Sequence, residues 1–139
     1  MRDARPEDAD GIAPLLAQLG YPAAVDVVRE RLASLVARGD RALVAERGGM
    51  VVGVLTLHRT PVLHRPADVG RITALVVDAG ARAGGVGRAL VGEAERILRD
   101  AGCERVEVTS AARRLDAHAF YRRLGYDEAG VRFGKPLAG

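Results

Sequence analysis

The sequence predicts a mixed α/β fold in which a twisted, mostly antiparallel sheet carries helices on both faces. Two observations lead to this prediction. Helical spacing of apolar residues before residue 40 gives way to strand-like runs after it. The run 71–78 is so continuously apolar that we expect it to lie inside the sheet. The chain has 139 residues, of which 48% are hydrophobic, and we expect a single domain over residues 1–139.

The start of the chain predicts two helices that pack as a pair. Pro6 and the acidic residues after it suit the first turn of a helix, and Gly20-Tyr21-Pro22 ends the pattern. A second helix follows and closes at Gly39. The apolar stripes of the two helices are formed by Ile12, Leu15, Leu16 and Leu19, and by Val25, Val28, Leu32, Leu35 and Val36.

The remaining elements alternate between strands and helices. Gly48-Gly49 is typical of the turn in an antiparallel hairpin, and Gly130 lies in a segment that we expect to close the sheet. The predicted elements are hairpin strands Ala42–Glu46 and Val51–His58, helix Gly85–Arg99, strand Arg105–Thr109, helix Asp116–Leu124, and one or two closing strands between Tyr126 and Pro136.

The composition argues against several classes of protein. One cysteine, Cys103, cannot form an internal disulfide or a cysteine-based zinc site, so we expect a cytoplasmic setting and no metal. No apolar run approaches the roughly 20 residues of a membrane span, and no signal peptide is evident. The net charge is +3, and every basic residue except Lys135 is arginine. Because acidic residues are interspersed among them, we expect neither nucleic acid nor a membrane as a partner.

The most informative segment is the glycine-rich turn 78–88, which follows the apolar run and opens a helix. Small residues let backbone N–H groups point into one concavity at a helix N-terminus, where a diphosphate binds well. The turn lacks the Lys-Ser/Thr ending of a triphosphatase loop, and it does not match the dinucleotide-binding fingerprint. The glycines alone also fit the alternative interpretation that the turn only reverses the direction of the chain.

Two motifs together resemble the GNAT family of acetyl-CoA-dependent N-acyltransferases. The first is Arg82-x-x-Gly85-x-Gly87, and the second is Ala117-His-Ala-Phe-Tyr121-x-x-x-Gly125-Tyr126 further along the chain. The resemblance implies central strands that splay apart, with acetyl-CoA as cosubstrate in the opening. It also implies that the backbones of Val76 and Val77 pair with the pantetheine arm. The residues that would surround the diphosphate are Arg82, Ala83, Gly84, Gly85, Val86, Gly87 and Arg88.

The resemblance further implies that an amine attacks the thioester directly and that Tyr121 protonates the departing thiolate. A phenol, whose ordinary pKa is about 10, is protonated at neutral pH and suits this role. Similar sequences often place a glutamate on the central strand, at positions held here by Arg71 and Thr73, so the usual base is missing. The candidate replacements are Glu107, Asp78 and His118.

We expect acetyl transfer from acetyl-CoA to the primary amine of a small molecule, by an enzyme that forms a homodimer. Ala111 stands where similar sequences often carry an asparagine, which predicts weaker cofactor binding. A catalytically silent CoA-binding or regulatory module and a protein or peptide N-acetyltransferase remain open alternatives. Further candidates are His58 and His64 for the acceptor cleft or the surface, and Arg113, Arg114 and Arg122 for the 3'-phosphate of the cofactor or for solvent.

Overall fold

The computed structural model describes residues 1–109 and 115–138. The chain divides into two compact units, Met1–Thr109 and Ser110–Gly139. The described part of the second unit holds helix α4 (Leu115–Arg123). The first unit holds β1 (Arg2–Asp3), α1 (Ala9–Leu19), α2 (Val25–Ala37), β2 (Arg41–Arg47), β3 (Met50–Thr60), β4 (Val69–Val77), α3 (Val86–Asp100) and β5 (Arg105–Val108).

The five strands form one sheet in the order β1-β2-β3-β4-β5, and this sheet is antiparallel except for one pair. Strands β1, β2 and β3 each pair antiparallel with the next strand along the chain, whereas β4 and β5 run parallel. A parallel pair needs a crossover connection, and α3 provides it. The glycine-rich turn that leads into α3 therefore follows the carboxyl end of an interior strand.

Helices cover both faces of the sheet. Val44, Val54 and Val76 belong to a buried cluster with side chains of α1 and α2. On the opposite face, Gly53 and Gly70 lie directly against side chains of α3. Helix α3 presents one buried apolar side to the sheet, formed by Leu90, Val91, Ala94 and Leu98. The predicted mixed α/β fold, with its mostly antiparallel sheet, is confirmed.

A charged network ties the short strand β1 to its surroundings. Arg2 donates to the two carboxylate oxygens of Asp8, at 2.7 and 2.8 Å, and it also pairs with Glu46. The backbone N–H of Arg5 donates to the same Asp8 carboxylate. These contacts, those from Arg2 above all, hold the pKa of Asp8 below its ordinary value. The network joins β1, the turn before α1 and the end of β2.

The prediction of closing strands between Tyr126 and Pro136 is wrong, since no strand occurs among the described residues 124–138. The side chains of Val131 and Phe133 are exposed there. A strand is stable only when it has a paired neighbour and a covered face, and residues 127–138 are all exposed. In the parts of the chain that the structure describes, no helix is long and apolar enough to cross a membrane.

Candidate active site

The carboxyl-terminal part of β4, residues 73–77, forms an edge that we call the open edge. The pairing of β4 with β5 ends at Ile72, whose partner is Val108. On the other side of β4, the ladder with β3 continues as far as Val77. Within the described residues, residues 73–77 therefore have a strand neighbour on one side only. The resemblance places the splay of the interior strands at such an end of pairing.

The backbones of Leu75 and Val77 point toward the open edge. Asp78 donates its N–H to the carbonyl oxygen of Val52 at 2.8 Å, so these two residues form a hydrogen-bonded pair. Alternation along the antiparallel ladder then directs the backbone of Val76 toward β3 and those of its two neighbours away from β3. Val77, and Leu75 rather than Val76, therefore have backbone groups directed at the open edge.

Strand β4 carries one extra residue where the open edge begins. Thr56 pairs with Ala74 and Leu57 pairs with Ile72, so Thr73 has no residue opposite it. The hydroxyl oxygens of Thr73 and Thr56 are 2.7 Å apart, which is a hydrogen bond. Such β-bulges bend a strand and are common beside active sites. This bulge bends β4 next to the point where its pairing with β5 ends.

The glycine-rich turn ends at a helix start whose N–H groups are available to a ligand. Residues Ala79–Gly84 form a 3-10 turn, and Gly85 precedes α3 with φ +76°, a conformation that favours glycine. Gly85 has no side chain with which to cap α3. The N–H groups of Val86, Gly87 and Arg88 therefore lack an acceptor within the helix. Together with the helix dipole, they form a site suited to an anion.

Asp78 anchors the beginning of this turn. Its Oδ1 accepts a hydrogen bond from Nε2 of Gln18 at 2.8 Å, and its Oδ2 accepts one from the N–H of Gly80 at 3.0 Å. The N–H of Ala79 donates to Oε1 of Gln18 at 3.0 Å. Because both carboxylate oxygens are engaged within the chain, Asp78 would have to give up a structural hydrogen bond to act as a base.

Two arginines flank the turn. Nε of Arg82 donates to the carbonyl oxygen of Val77 at 3.2 Å, which fixes this side chain at the end of β4. A Cβ at Gly84 would collide with the guanidinium group of Arg47, so Arg47 lies against the turn. Arg47 could not be recognised as a site residue from the sequence, because nothing in a local pattern links the end of β2 to a turn that follows β4.

Charged side chains form a row across β3, β4 and β5, just before residue 73, where the open edge begins. His58, Arg71 and Glu107 are register partners on these three strands. Nη2 of Arg71 lies 3.1 Å from one oxygen of Glu107, and Nε of Arg105 lies 3.0 Å from the other. Nδ1 of His58 is 3.8 Å from Asp40. The predicted replacement base Glu107 is thus held between two guanidinium groups.

Helix α4 carries the other two predicted catalytic residues, Tyr121 and His118, in the second unit. The ring of Tyr121 makes edge contacts with Phe120 and Tyr126, at centroid distances of 5.2 and 5.9 Å. Burial raises the pKa of the Tyr121 phenol above its ordinary value of 10. This phenol is therefore fully protonated at neutral pH, as a proton donor to a thiolate must be.

The remaining predicted positions add little to the site. Ala111, Arg113 and Arg114 lie outside the described residues. His64 is exposed in the connection between β3 and β4, and Arg122 is exposed on α4. Within residues 1–109 and 115–138, no group of three or more His, Cys, Asp or Glu side chains is placed to hold a metal ion.

Comparison with known proteins identifies the family. The model of the acetyltransferase (GNAT) family matches residues 15–126. An aminoalkylphosphonate N-acetyltransferase from Salmonella typhimurium is 35% identical, with 99% of this chain and 90% of the relative covered. An aminoglycoside N(6')-acetyltransferase type 1 from Stenotrophomonas maltophilia is 33% identical, with 99% of this chain and 93% of the relative covered.

A solved structure agrees with this assignment. The crystal structure of an acetyltransferase from Trypanosoma brucei has a TM-score of 0.81 and 28% identity, and it covers 98% of this chain and 97% of its own. The family model covers most of the chain. Both curated relatives are N-acetyltransferases, and the similarity extends over nearly the full length of each. The chain therefore belongs to the GNAT acetyltransferase family and is an N-acetyltransferase.

Proposed function

We propose that the chain transfers the acetyl group of acetyl-CoA to the primary amine of a small molecule. One observation carries the proposal, namely that an anion site and an open strand edge meet at the carboxyl end of β4. The N–H groups of Val86, Gly87 and Arg88 suit a diphosphate. The backbone of Leu75 and the N–H of Val77, whose carbonyl oxygen accepts from Arg82, suit the amides of an extended pantetheine arm. When bound, acetyl-CoA supplies an acetyl group activated as a thioester.

The chain's own groups then have defined tasks. The amine nitrogen forms a bond to the acetyl carbon, and the carbon–sulfur bond breaks. The N–H of Leu75, beside the bulge, donates to the carbonyl oxygen on which negative charge develops. Tyr121 gives its proton to the departing thiolate, whose ordinary pKa is about 8 to 9. Arg82 and the first turn of α3 hold the diphosphate and so fix the thioester in place.

An alkylammonium ion has a pKa of about 10.4, so a proton must be removed before the nitrogen can attack. Of the two candidate carboxylates, Glu107 is the better placed. It is the register partner of Arg71, two residues before the bulge at Thr73, whereas Asp78 lies at the diphosphate end of β4. We assign this proton to Glu107, with His118 on α4 as the second candidate.

The curated relatives support a small-molecule acceptor. One is named for aminoalkylphosphonates and the other for aminoglycosides, and both classes carry primary amines. The two classes differ in charge, because a phosphonate is an anion whereas an aminoglycoside carries several ammonium groups. The names therefore support a primary amine as the acceptor group. The charge of the rest of the acceptor has to be inferred from the residues of this chain.

Thiol release from acetyl-CoA, measured over a panel of small amines and peptides, tests the proposal. Tyr121→Phe should lower kcat by about a hundredfold or more, because it removes the proton donor and keeps the ring. Tyr21→Phe is the matched control, since Tyr21 is an exposed tyrosine just beyond α1. Glu107→Gln and His118→Gln should separate the two candidate bases, because only loss of the base depresses the rate at neutral pH.

Other outcomes point to other functions. If acetyl-CoA raises the melting temperature but no amine releases thiol, the chain is a silent CoA-binding module. Release with peptides and not with small amines indicates a peptide N-acetyltransferase. An equal rate for Tyr121→Phe and the native chain contradicts the proton-donor assignment. The homodimer, the cytoplasmic location, the single domain over residues 1–139 and the lack of nucleic-acid binding stay predictions.

A further inference from the structure

We propose that Arg71 and Arg105 form an anchor for an anionic group on the acceptor, so that the preferred substrate is a small primary amine with a phosphonate, phosphate or carboxylate group. The inference rests on the proposed function, because it concerns the acceptor of the same reaction. It is drawn from the three side chains Arg71, Arg105 and Glu107, which we call the arginine anchor.

The arginine anchor lies on the face of the sheet that α1 and α2 cover. Gly70 points to the opposite face, because a Cβ there would meet Leu98 of α3. Successive strand residues point to opposite faces, so Arg71 lies on the face of α1 and α2. Its ion pair with Glu107, and that of Arg105 with the same carboxylate, place all three on this face.

The anchor lies in line with the open edge. Arg71 is two residues before the bulge at Thr73, and the glycine-rich turn follows the other end of β4. An arm that starts at this turn and runs along the open edge brings its reactive end to the bulge. If the amino group of the acceptor lies at the bulge, the rest of the acceptor lies next to Arg71, which is two residues from the bulge on β4.

The charges of the anchor favour an anion. Two guanidinium groups share a single carboxylate, so the cluster carries a net positive charge. Arg71 contacts Glu107 through Nη2. A guanidinium has five N–H donors in a planar fork, and among the described residues no other contact of Arg71 engages them. The Arg71 side chain is 48% exposed, so a ligand can reach these donors.

The chemistry of the remaining donors defines the ligand. A guanidinium fork binds phosphonate, phosphate or carboxylate oxygens through paired, charge-assisted hydrogen bonds. A polycationic acceptor would place like charges beside Arg71 and Arg105, which disfavours binding.

The test compares three amines of similar length in the thiol-release assay: 2-aminoethylphosphonate, β-alanine and ethanolamine. We expect kcat/KM to be higher for the two anionic amines than for the neutral one. Arg71→Gln should lower the ratio of kcat/KM for the anionic amines to kcat/KM for ethanolamine on the order of tenfold to a hundredfold, because any effect that acts through Glu107 is common to all three amines. Arg71→Lys should recover part of this loss, because it restores the charge without the fork.

Two controls keep the result specific. Arg96→Gln removes an arginine paired with Glu93 and Asp100 on α3. It should not change the preference for either anionic amine over ethanolamine. The KM for acetyl-CoA and its effect on the melting temperature should stay the same in Arg71→Gln, which also shows that the variant is folded. Arg105→Gln should weaken the preference as well, because Glu107 would then pair with Arg71 alone.

The outcomes separate the two proposals. If ethanolamine is acetylated as well as the anionic amines, or if Arg71→Gln lowers all three rates equally, the anchor is wrong and the acetyltransferase proposal stands. If a polyamine such as spermidine is the best acceptor, the anchor is also wrong. If no amine at all releases thiol, both proposals fail together.

Discussion

The side chain of Leu98 on α3 leaves no room for a methyl group at Gly70. An ideal Cβ at Gly70 would lie 2.7 Å from Cδ1 and 2.9 Å from Cδ2 of Leu98. Because carbon atoms pack at about 3.5 Å or more, these methyl groups would have to move by about 0.8 Å. Leu98 is only 1% exposed, so its neighbours resist such a shift.

We therefore expect Gly70→Ala to destabilise the protein. Overpacking of this kind costs about 1–3 kcal/mol. The lower entropy of the unfolded chain offsets about 0.4–1 kcal/mol of that cost. The free energy of unfolding should fall by about 1–2 kcal/mol, measured from urea unfolding followed by circular dichroism.

A double-mutant cycle with Leu98→Ala gives this reasoning its sharpest test. Leu98→Ala alone should cost about 2–5 kcal/mol, because it leaves a cavity in the core. It removes the three atoms that a Cβ at Gly70 would meet, so Gly70→Ala in that background should be neutral or stabilising. Equal effects of Gly70→Ala in the two backgrounds, within about 0.5 kcal/mol, would refute the packing argument.

Three other predictions concern charge, backbone conformation and pH. The depressed pKa of Asp8 stabilises the fold above its ordinary value of 3.8, and this stabilisation is lost as pH falls through the lower, folded-state pKa. Asp8→Asn should therefore have a lower free energy of unfolding than the native chain at pH 7, and this difference should shrink toward pH 3, as measured by urea unfolding at each pH. A difference that does not depend on pH would contradict the assignment. Gly85→Ala should cost about 1 kcal/mol, because alanine is strained at φ +76°, and should raise the KM for acetyl-CoA, whereas Gly39→Ala, at φ +88°, should cost as much and leave that KM unchanged. Because burial raises the pKa of Tyr121 above its ordinary value of 10, any loss of kcat that requires Tyr121 should have its midpoint above pH 10. A Tyr121-dependent loss with its midpoint below pH 10, absent in Tyr121→Phe, would argue against this shift.

The elements that bury a clear apolar pattern could be predicted from the sequence. Helix α3 shows helical spacing, and β4 shows a continuous apolar run, since both pack against buried surfaces. The closing strands could not be predicted correctly, because alternation around Val131 is the same whether or not a neighbour covers it. A pattern of residues records what a segment can bury, whereas burial itself depends on the rest of the chain.

The candidate site divides in the same way. The glycine-rich turn was evident from the sequence, since its backbone conformation depends on local residues such as Gly85. The position of Arg47 against Gly84 and the pairing of Arg71 with Glu107 depend on strand register, which no local pattern encodes. The only sign in the sequence was that Arg71 is a charged residue near the start of an otherwise apolar strand. Its partner Glu107 becomes evident only from the register of β4 with β5.

The amide of Gln18 links the last turn of α1 to the first residues of the glycine-rich turn, across 60 positions of sequence. The neutral amide donates to Asp78 and accepts from Ala79 at the same time, whereas an ionised glutamate there would have no donor and would repel the aspartate. During synthesis, residues 78–80 emerge long after Gln18, and the turn gains this support only once α1 has docked on the sheet. The conformation of the glycine-rich turn thus depends on the packing of α1 against the sheet.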